Sequence, residues 1–170
     1  MDFLELAKKR YSCRKFSDRQ VEEEKVNAIL EAARLAPTAV NFQPQRIIMI
    51  NSKDGLEKLK RSINPNLNPT LAFIVSYDKN ECWVREYDSK PSGEVDASIV
   101  ATHMMLEASE LGIGSTWVMH FNPFNIKEDF NLAEDIIPVA LLVMGYPASD
   151  ACPSARHYEK KKLDEFVKTI

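Results

Sequence analysis

Residues 96–111 read DASIVATHMMLEASEL and are followed by Gly112. Ala97, Ala101, Met104, Ala108 and Leu111 step by four and three along one face, the spacing of an α-helix. Ile99, Val100, Met105 and Leu106 make much of the remaining surface apolar too, and a helix apolar nearly all round is covered on most sides. Asp96 is positioned to be its N-cap and Gly112 its C′ residue. In a small domain, part of such a helix is expected to lie against another subunit.

Outward from this helix, apolar runs predict a sheet. Residues 71–77 (LAFIVSY) read as a strand apolar enough to be central, and residues 46–50, 115–119 and 137–144 (IPVALLVM) as three more. Residues 2–10 predict a short helix with Phe3, Leu4, Leu6 and Ala7 on one side and Lys8, Lys9 and Arg10 at the negative end of its dipole. A second helix is expected from Ser17 or Asp18 until Pro37 stops it. Residues 54–61 and 123–130 read as short helices, the latter capped by Asn122 with Pro123 at its first position. Residues 78–95 read as a long surface loop, residues 148–158 as an irregular polar tail and residues 160–168 as a final helix or turn. The expectation is one mixed domain of helices around one sheet.

The 170 residues suit a single domain, 1–170. Apolar residues make up 45% and charged residues 28%, too apolar for a disordered chain. The formal net charge of −3 argues against a nucleic-acid binder. Cys13, Cys82 and Cys152 are odd in number and form no CxxC, which points to reduced thiols in a cytoplasmic protein. Charge at Asp2 and Glu5 argues against a signal peptide, and no apolar run is long enough to span a bilayer. The sequence contains no GxxxxGK[ST], GxGxxG or GxSxG, and no histidine pair at i,i+4. No catalytic side chain and no metal ligand set stands out, so any difficult chemistry falls to a cofactor.

Three stretches remain. Residues 10–14 place Arg10 and Arg14 around Ser12, donors suited to phosphate, although helix-dipole compensation and solvated charge would also explain them. Residues 36–44 (APTAVNFQP) put small residues and amides between two prolines, which lets backbone approach a flat heteroaromatic ligand. A plain loop feeding the first strand is the other reading. Arg156, with Ser154 and His157 beside it, adds charge near the C-terminus.

Taken in order, these segments resemble the FMN-dependent nitroreductase family of the short single-domain type. Residues 9–16 are similar to its Arg-Arg-Ser-x-Arg-x-Phe opening and residues 36–44 to its Ala-Pro-Ser-x-x-Asn-x-Gln-Pro loop. Residues 95–99 and 111–117 are similar to the ends of its long central helix, and residues 137–147 to its last strand. The resemblance implies an α+β fold with a central, mostly antiparallel sheet flanked by helices. It also implies a homodimer with FMN at the subunit interface, NAD(P)H as reductant and a small-molecule electron acceptor such as a nitroaromatic or quinone. No nucleic acid or membrane partner is implied. By this resemblance Arg10, Ser12 and Arg14 hold the phosphate and polar flavin edge, and Tyr11 and Cys13 contribute mainly backbone. Pro37, Thr38, Ala39 and Asn41 come from the partner subunit and lie against the flavin. Arg156 adds charge at the phosphate, and Ser154 stands where many relatives carry a basic residue. Asn64 and Asn66 compete for one flavin contact. A backbone N–H of Met119 or His120 reaches flavin N5, with the His120 side chain either a proton donor or a bulky wall. Catalysis would be ping-pong hydride transfer. A non-catalytic flavin-binding or sensing protein, or a specialised reductive flavoenzyme, remains the alternative at this point.

Overall fold

The computed structural model describes residues 2–63 and 67–170. Among these residues, six strands and five α-helices follow in the order α1 (Phe3–Lys9), α2 (Glu23–Leu35), β1 (Gln45–Ile50), α3 (Lys53–Lys60), β2 (Leu71–Asp78), β3 (Val84–Arg85), β4 (Lys90–Pro91), α4 (Gly93–Glu110), β5 (Gly114–Val118), α5 (Pro123–Asp129) and β6 (Ile136–Gly145). The main sheet has the order β1-β2-β6-β5 with every pair antiparallel, which is the expected α+β architecture.

β2 and β6 read as unbroken apolar runs because both of their faces are covered. On one face Leu71, Phe73, Val75, Leu142 and Met144 pack against α2 and α4; on the other Ala72, Ile74, Leu141 and Val143 meet Leu59 and Ile126 of α3 and α5. Pro138 lacks a ladder donor, and the β2–β6 register slips beside it, leaving Val139 unmatched between Ala140 and Pro138.

α4 ends as its sequence requires. Gly112 takes φ 76°, its N–H donates to Ser109 O, and the N–H of Ile113 donates to Ala108 O at 2.7 Å. That is a Schellman closure, with Ile113 and Ala108 both in the core. Asn122 caps α5 through Phe124 N and Asn125 N, also as expected.

Three local expectations are corrected. α4 begins at Gly93, so Asp96 lies in its first turn and is not the cap. α2 begins at Glu23, because Ser17 and its neighbours are drawn into contact with Tyr146, to whose carbonyl Ser17 N–H donates. Residues 78–95 contain the β3–β4 hairpin as well as loop. Residues 160–168, expected as a helix or turn, hold a 3₁₀ turn at Leu163–Glu165 whose apolar side chains stay exposed. α1 likewise buries none of its residues; Phe3 and Leu4 are 61% and 62% exposed.

Candidate functional site

Two separate constructions carry the residues of interest. The first joins residues 10–14 to the C-terminal segment. After α1 the chain enters the sheet region, where Ser12 forms a parallel bridge with Ser115. Cys13 N–H donates to Ser115 O at 2.9 Å, and the Thr116 hydroxyl donates to Cys13 O. Cys13 is fully buried, and its thiol donates to Lys15 O at 3.2 Å. Burial pushes its thiol pKa up, as it does that of the Tyr11 phenol, which reaches about 12. With both backbone groups of Cys13 already engaged, its part is to brace Ser12 and Arg14, not to offer a free backbone donor. Gly114 makes this fit possible, since a Cβ there would stand 2.8 Å from Cys13 Sγ.

The C-terminal segment lies along this brace. Ala148 N–H donates to Lys15 O, and Lys15 pairs with Asp150 at 2.5 Å. His157 Nε2 meets Lys8 O at 3.1 Å, and its ring stands edge-on to Tyr11. A cleft of about 190 Å³ results, lined by Ser12, Arg14, Lys15, Asp150, Cys152 and Ser154. Lys15 and Asp150 neutralise one another, while among the described residues the Arg14 guanidinium donates to the Ser12 carbonyl at 3.2 Å and pairs with no carboxylate. Arg10 and Lys9 border a crevice of about 110 Å³ that includes Ser115, whose buried hydroxyl has no hydrogen-bond partner among the described residues. Arg10 Nη1 lies 3.8 Å from Met105 Sδ on α4. Arg156 is exposed on the 3₁₀ turn Ala155–His157.

The second construction is the loop of residues 36–44. Pro37 ends α2 as expected, with Ala36 extended. Val40, Asn41 and Gln43 then adopt φ values of 52°, 56° and 53°. The left-handed region costs a β-branched residue most, so the loop must be held by its surroundings. Gln43 N–H donates to Thr38 Oγ1 at 3.0 Å, and Asp78 N–H donates to Pro44 O at 2.8 Å. Ala39 N–H donates to Asp96 Oδ1 at 2.8 Å. Asp96 is only 1% exposed, and its other oxygen accepts the Ser92 hydroxyl at 2.6 Å. Reading Asp96 as a helix cap concealed this link; the signal was a carboxylate on the apolar face of a buried helix.

The single chain brings the first group together but does not bring the second to it. Ala39 meets α4 at Asp96 and Arg10 meets it at Met105, nine residues along, about 14 Å of helix. Met119 and His120 stand apart as well. Met119 lies past the end of β5 with 64% of its surface exposed, and the following residues run beside Ile63, which bridges Phe121. Asn64 and Asn66 fall outside the described residues. His103 is half-buried on α4, with Nδ1 2.9 Å from its own helix carbonyl at Ile99. Among the described residues no cluster of three or more His, Cys, Asp or Glu side chains forms a metal site, and no helix is long and apolar enough to cross a membrane.

The Nitroreductase family model matches residues 7–72 and 68–146. A nitroreductase family protein from Clostridium difficile 630 has 46% sequence identity and a TM-score of 0.93 over 99% of this chain and 98% of its own. A structure described as an FMN-dependent nitroreductase from Clostridium difficile R20291 has 27% identity and a TM-score of 0.76, covering 87% and 89% of the two chains. A relative in Methanothermobacter thermautotrophicus, provisionally named NADH dehydrogenase/NAD(P)H nitroreductase, is 31% identical over 88% of this chain and 80% of its own. The family match spans residues 10–14 and the strained loop, and the chain belongs to the nitroreductase family as an oxidoreductase of that type.

Proposed function

We propose that this chain is a single-domain, FMN-dependent NAD(P)H oxidoreductase that works as a homodimer in the cytoplasm. The observation that carries the reading is the cleft that joins Ser12 and Arg14 to Ser154, more than a hundred residues away in the chain. Its donors suit a phosphate: a guanidinium that pairs with no carboxylate among the described residues, a small hydroxyl, and Arg156 close by in sequence. The unpartnered Ser115 hydroxyl next to Arg10 fits the same use.

FMN, when bound, supplies the two-electron chemistry, accepting hydride from NAD(P)H and passing it to an acceptor. The chain's own residues bind and orient. Arg14, Ser12, Ser154 and Arg156 hold the phosphate end, and Arg10, directed along α4 towards Met105, places positive charge at the polar edge. Tyr11 and Cys13 fix the backbone around them. Pro37, Thr38, Ala39 and Asn41 serve the site of the partner subunit, since their own chain keeps them about half of α4 away. Met119 and His120 border the ring through backbone at the end of β5. No protein acid or base is required for hydride transfer, which agrees with the lack of a catalytic triad in the sequence. Nitroaromatics and quinones are the acceptor classes.

The dimer reading rests on exposed apolar surface. A groove of about 460 Å³ runs along α4 between Val95, Ile99, Thr102 and His103. Leu163, Phe166, Val167 and Ile170 extend from the tail, all at least half exposed. Three free cysteines agree with a reducing compartment.

The test is an absorbance spectrum of the purified protein followed by anaerobic titration with NADH and with NADPH. A yellow protein with one flavin per protomer, bleached by a nicotinamide, is expected. A colourless protein that ignores added FMN overturns the reading, and tight flavin that neither nicotinamide bleaches makes it a flavin carrier or sensor.

A further inference from the structure

We infer that Asp96 and Ser92 are a positioning pair that holds residues 38–43 in their flavin-facing shape and ties that loop to the β3–β4 hairpin. The inference rests on the flavin reading for its functional consequence and on geometry for the rest. Asp96 is a buried carboxylate whose partners among the described residues are two hydrogen-bond donors and no cation. Such a group is costly to bury, so each bond it accepts carries weight. Its place in the first turn of α4 offsets part of that cost, because the positive end of the helix dipole lies there.

Three segments meet at this carboxylate. Oδ1 takes the Ala39 N–H at 2.8 Å, immediately before the left-handed residues Val40 and Asn41. Oδ2 takes the Ser92 hydroxyl at 2.6 Å. Ser92 N–H in turn donates to Trp83 O at 2.8 Å, which closes the base of the hairpin. A backbone that prefers other φ values stays in this shape only if it is pinned, and Asp96 pins it at the residue where the strain begins. The same junction bounds a cavity of about 330 Å³, walled by Ala39, Trp83, Arg85, Pro91 and Val95. One carboxylate therefore sets both the loop that lies on the ring and the wall beside it.

The test uses the full chain and two readouts: amide exchange by NMR without FMN, and FMN titration followed by flavin fluorescence. Asp96→Ala should speed exchange of the Ala39 amide by about tenfold or more and raise the FMN Kd by about tenfold. Asp96→Asn keeps an oxygen for Ala39 and an NH₂ for the Ser92 hydroxyl, and should recover most of both. Ser92→Ala should speed exchange through residues 83–91 more than at Ala39. Ile126→Val, in the core on the far side of the sheet, should lower the melting temperature and change neither readout. Unchanged Ala39 exchange in Asp96→Ala overturns the inference, as does an equal loss of FMN affinity in Ile126→Val. Should Asp96→Ala fail to fold, unchanged hairpin exchange in Ser92→Ala overturns it instead. A wild-type protein that takes up no FMN sinks the flavin reading, and the exchange result then decides on the pair alone.

Discussion

Residues 10–14 and residues 36–44 serve the same proposed ligand, yet they are built in opposite ways. The first is braced from within the sheet: Cys13 is fully buried and hydrogen-bonded at N–H, carbonyl and thiol. The second is an exposed loop with three non-glycine residues at positive φ, pinned at a few points from outside. A phosphate needs fixed charges, and a brace supplies them. A ring that must meet successive substrates needs a thin backbone wall, and such a wall has few side chains of its own to hold it. The brace is therefore expected to fail through packing, and the wall through its anchors.

The largest effects should come from the two glycines that let α4 and β5 seat these regions. At Gly93 a Cβ would fall 2.1 Å from the Tyr77 ring, which is itself buried in β2. Gly93→Ala should cost about 3 kcal/mol or more and displace the Ser92–Asp96 junction, seen as a large drop in urea midpoint. At Gly114 the nearest atoms are Cys13 Cβ and Sγ at 2.8 Å. Gly114→Ala should cost about 1–3 kcal/mol and lower FMN retention through the brace. Equal loss of flavin in both variants, with equal loss of stability, would erase the distinction between the regions. Arg14→Ala leaves the fold intact and should weaken FMN by about 10–100-fold, the weight of one charge-assisted bond. Unchanged flavin content would remove Arg14 from the cleft. Exposed Cys152 lines the same cleft while Cys13 is sealed, so a thiol reagent should modify Cys152 alone, and bound FMN should slow it.

How much of this could be read from residues alone depends on whether the controlling contact is local. β2 and β6 were legible because burial on both faces leaves an unbroken apolar run. The end of α4 and the start of α5 were legible because Gly112 and Asn122-Pro123 act within their own turns. The start of α4 was not, because Asp96 spends its carboxylate on an amide fifty-seven residues away. The start of α2 was not, because Tyr146 at the end of the sheet competes for Ser17 and Glu22. For the candidate site, the donors of residues 10–14 and the small residues of 36–44 could be named from the sequence, whereas the link from Asp96 to Ala39 could not.

The brace can also be probed by acid. The Tyr146 hydroxyl donates to Glu22 at 2.6 Å, and with Arg19 alongside it holds the Glu22 carboxyl near about 2, below its ordinary 4.5. A lowered pKa in the folded state means stability that is present above pH 4.5 and lost as the pH falls towards 2. Glu22→Gln should therefore melt below the wild type at pH 6, with the gap closing by pH 2.5. The effect is smaller than those above because these groups face solvent. A gap that stays constant with pH would show that the charge of Glu22 contributes nothing.

Val40 offers the finest test of the wall. Its φ of 52° is one that a β-branched side chain resists, and 68% of its surface is exposed, so little packing repays the strain. Asn tolerates that region far better without adding the chain entropy of glycine. Val40→Asn should stabilise the protein by about 0.5–1 kcal/mol, measured by urea unfolding. The same change in Asp96→Ala should recover part of the lost FMN affinity, because a loop at ease in the left-handed region needs its anchor less. If Val40→Asn destabilises instead, the exposed valine is being covered by another protomer, and the wall is held across the dimer as well as by Asp96.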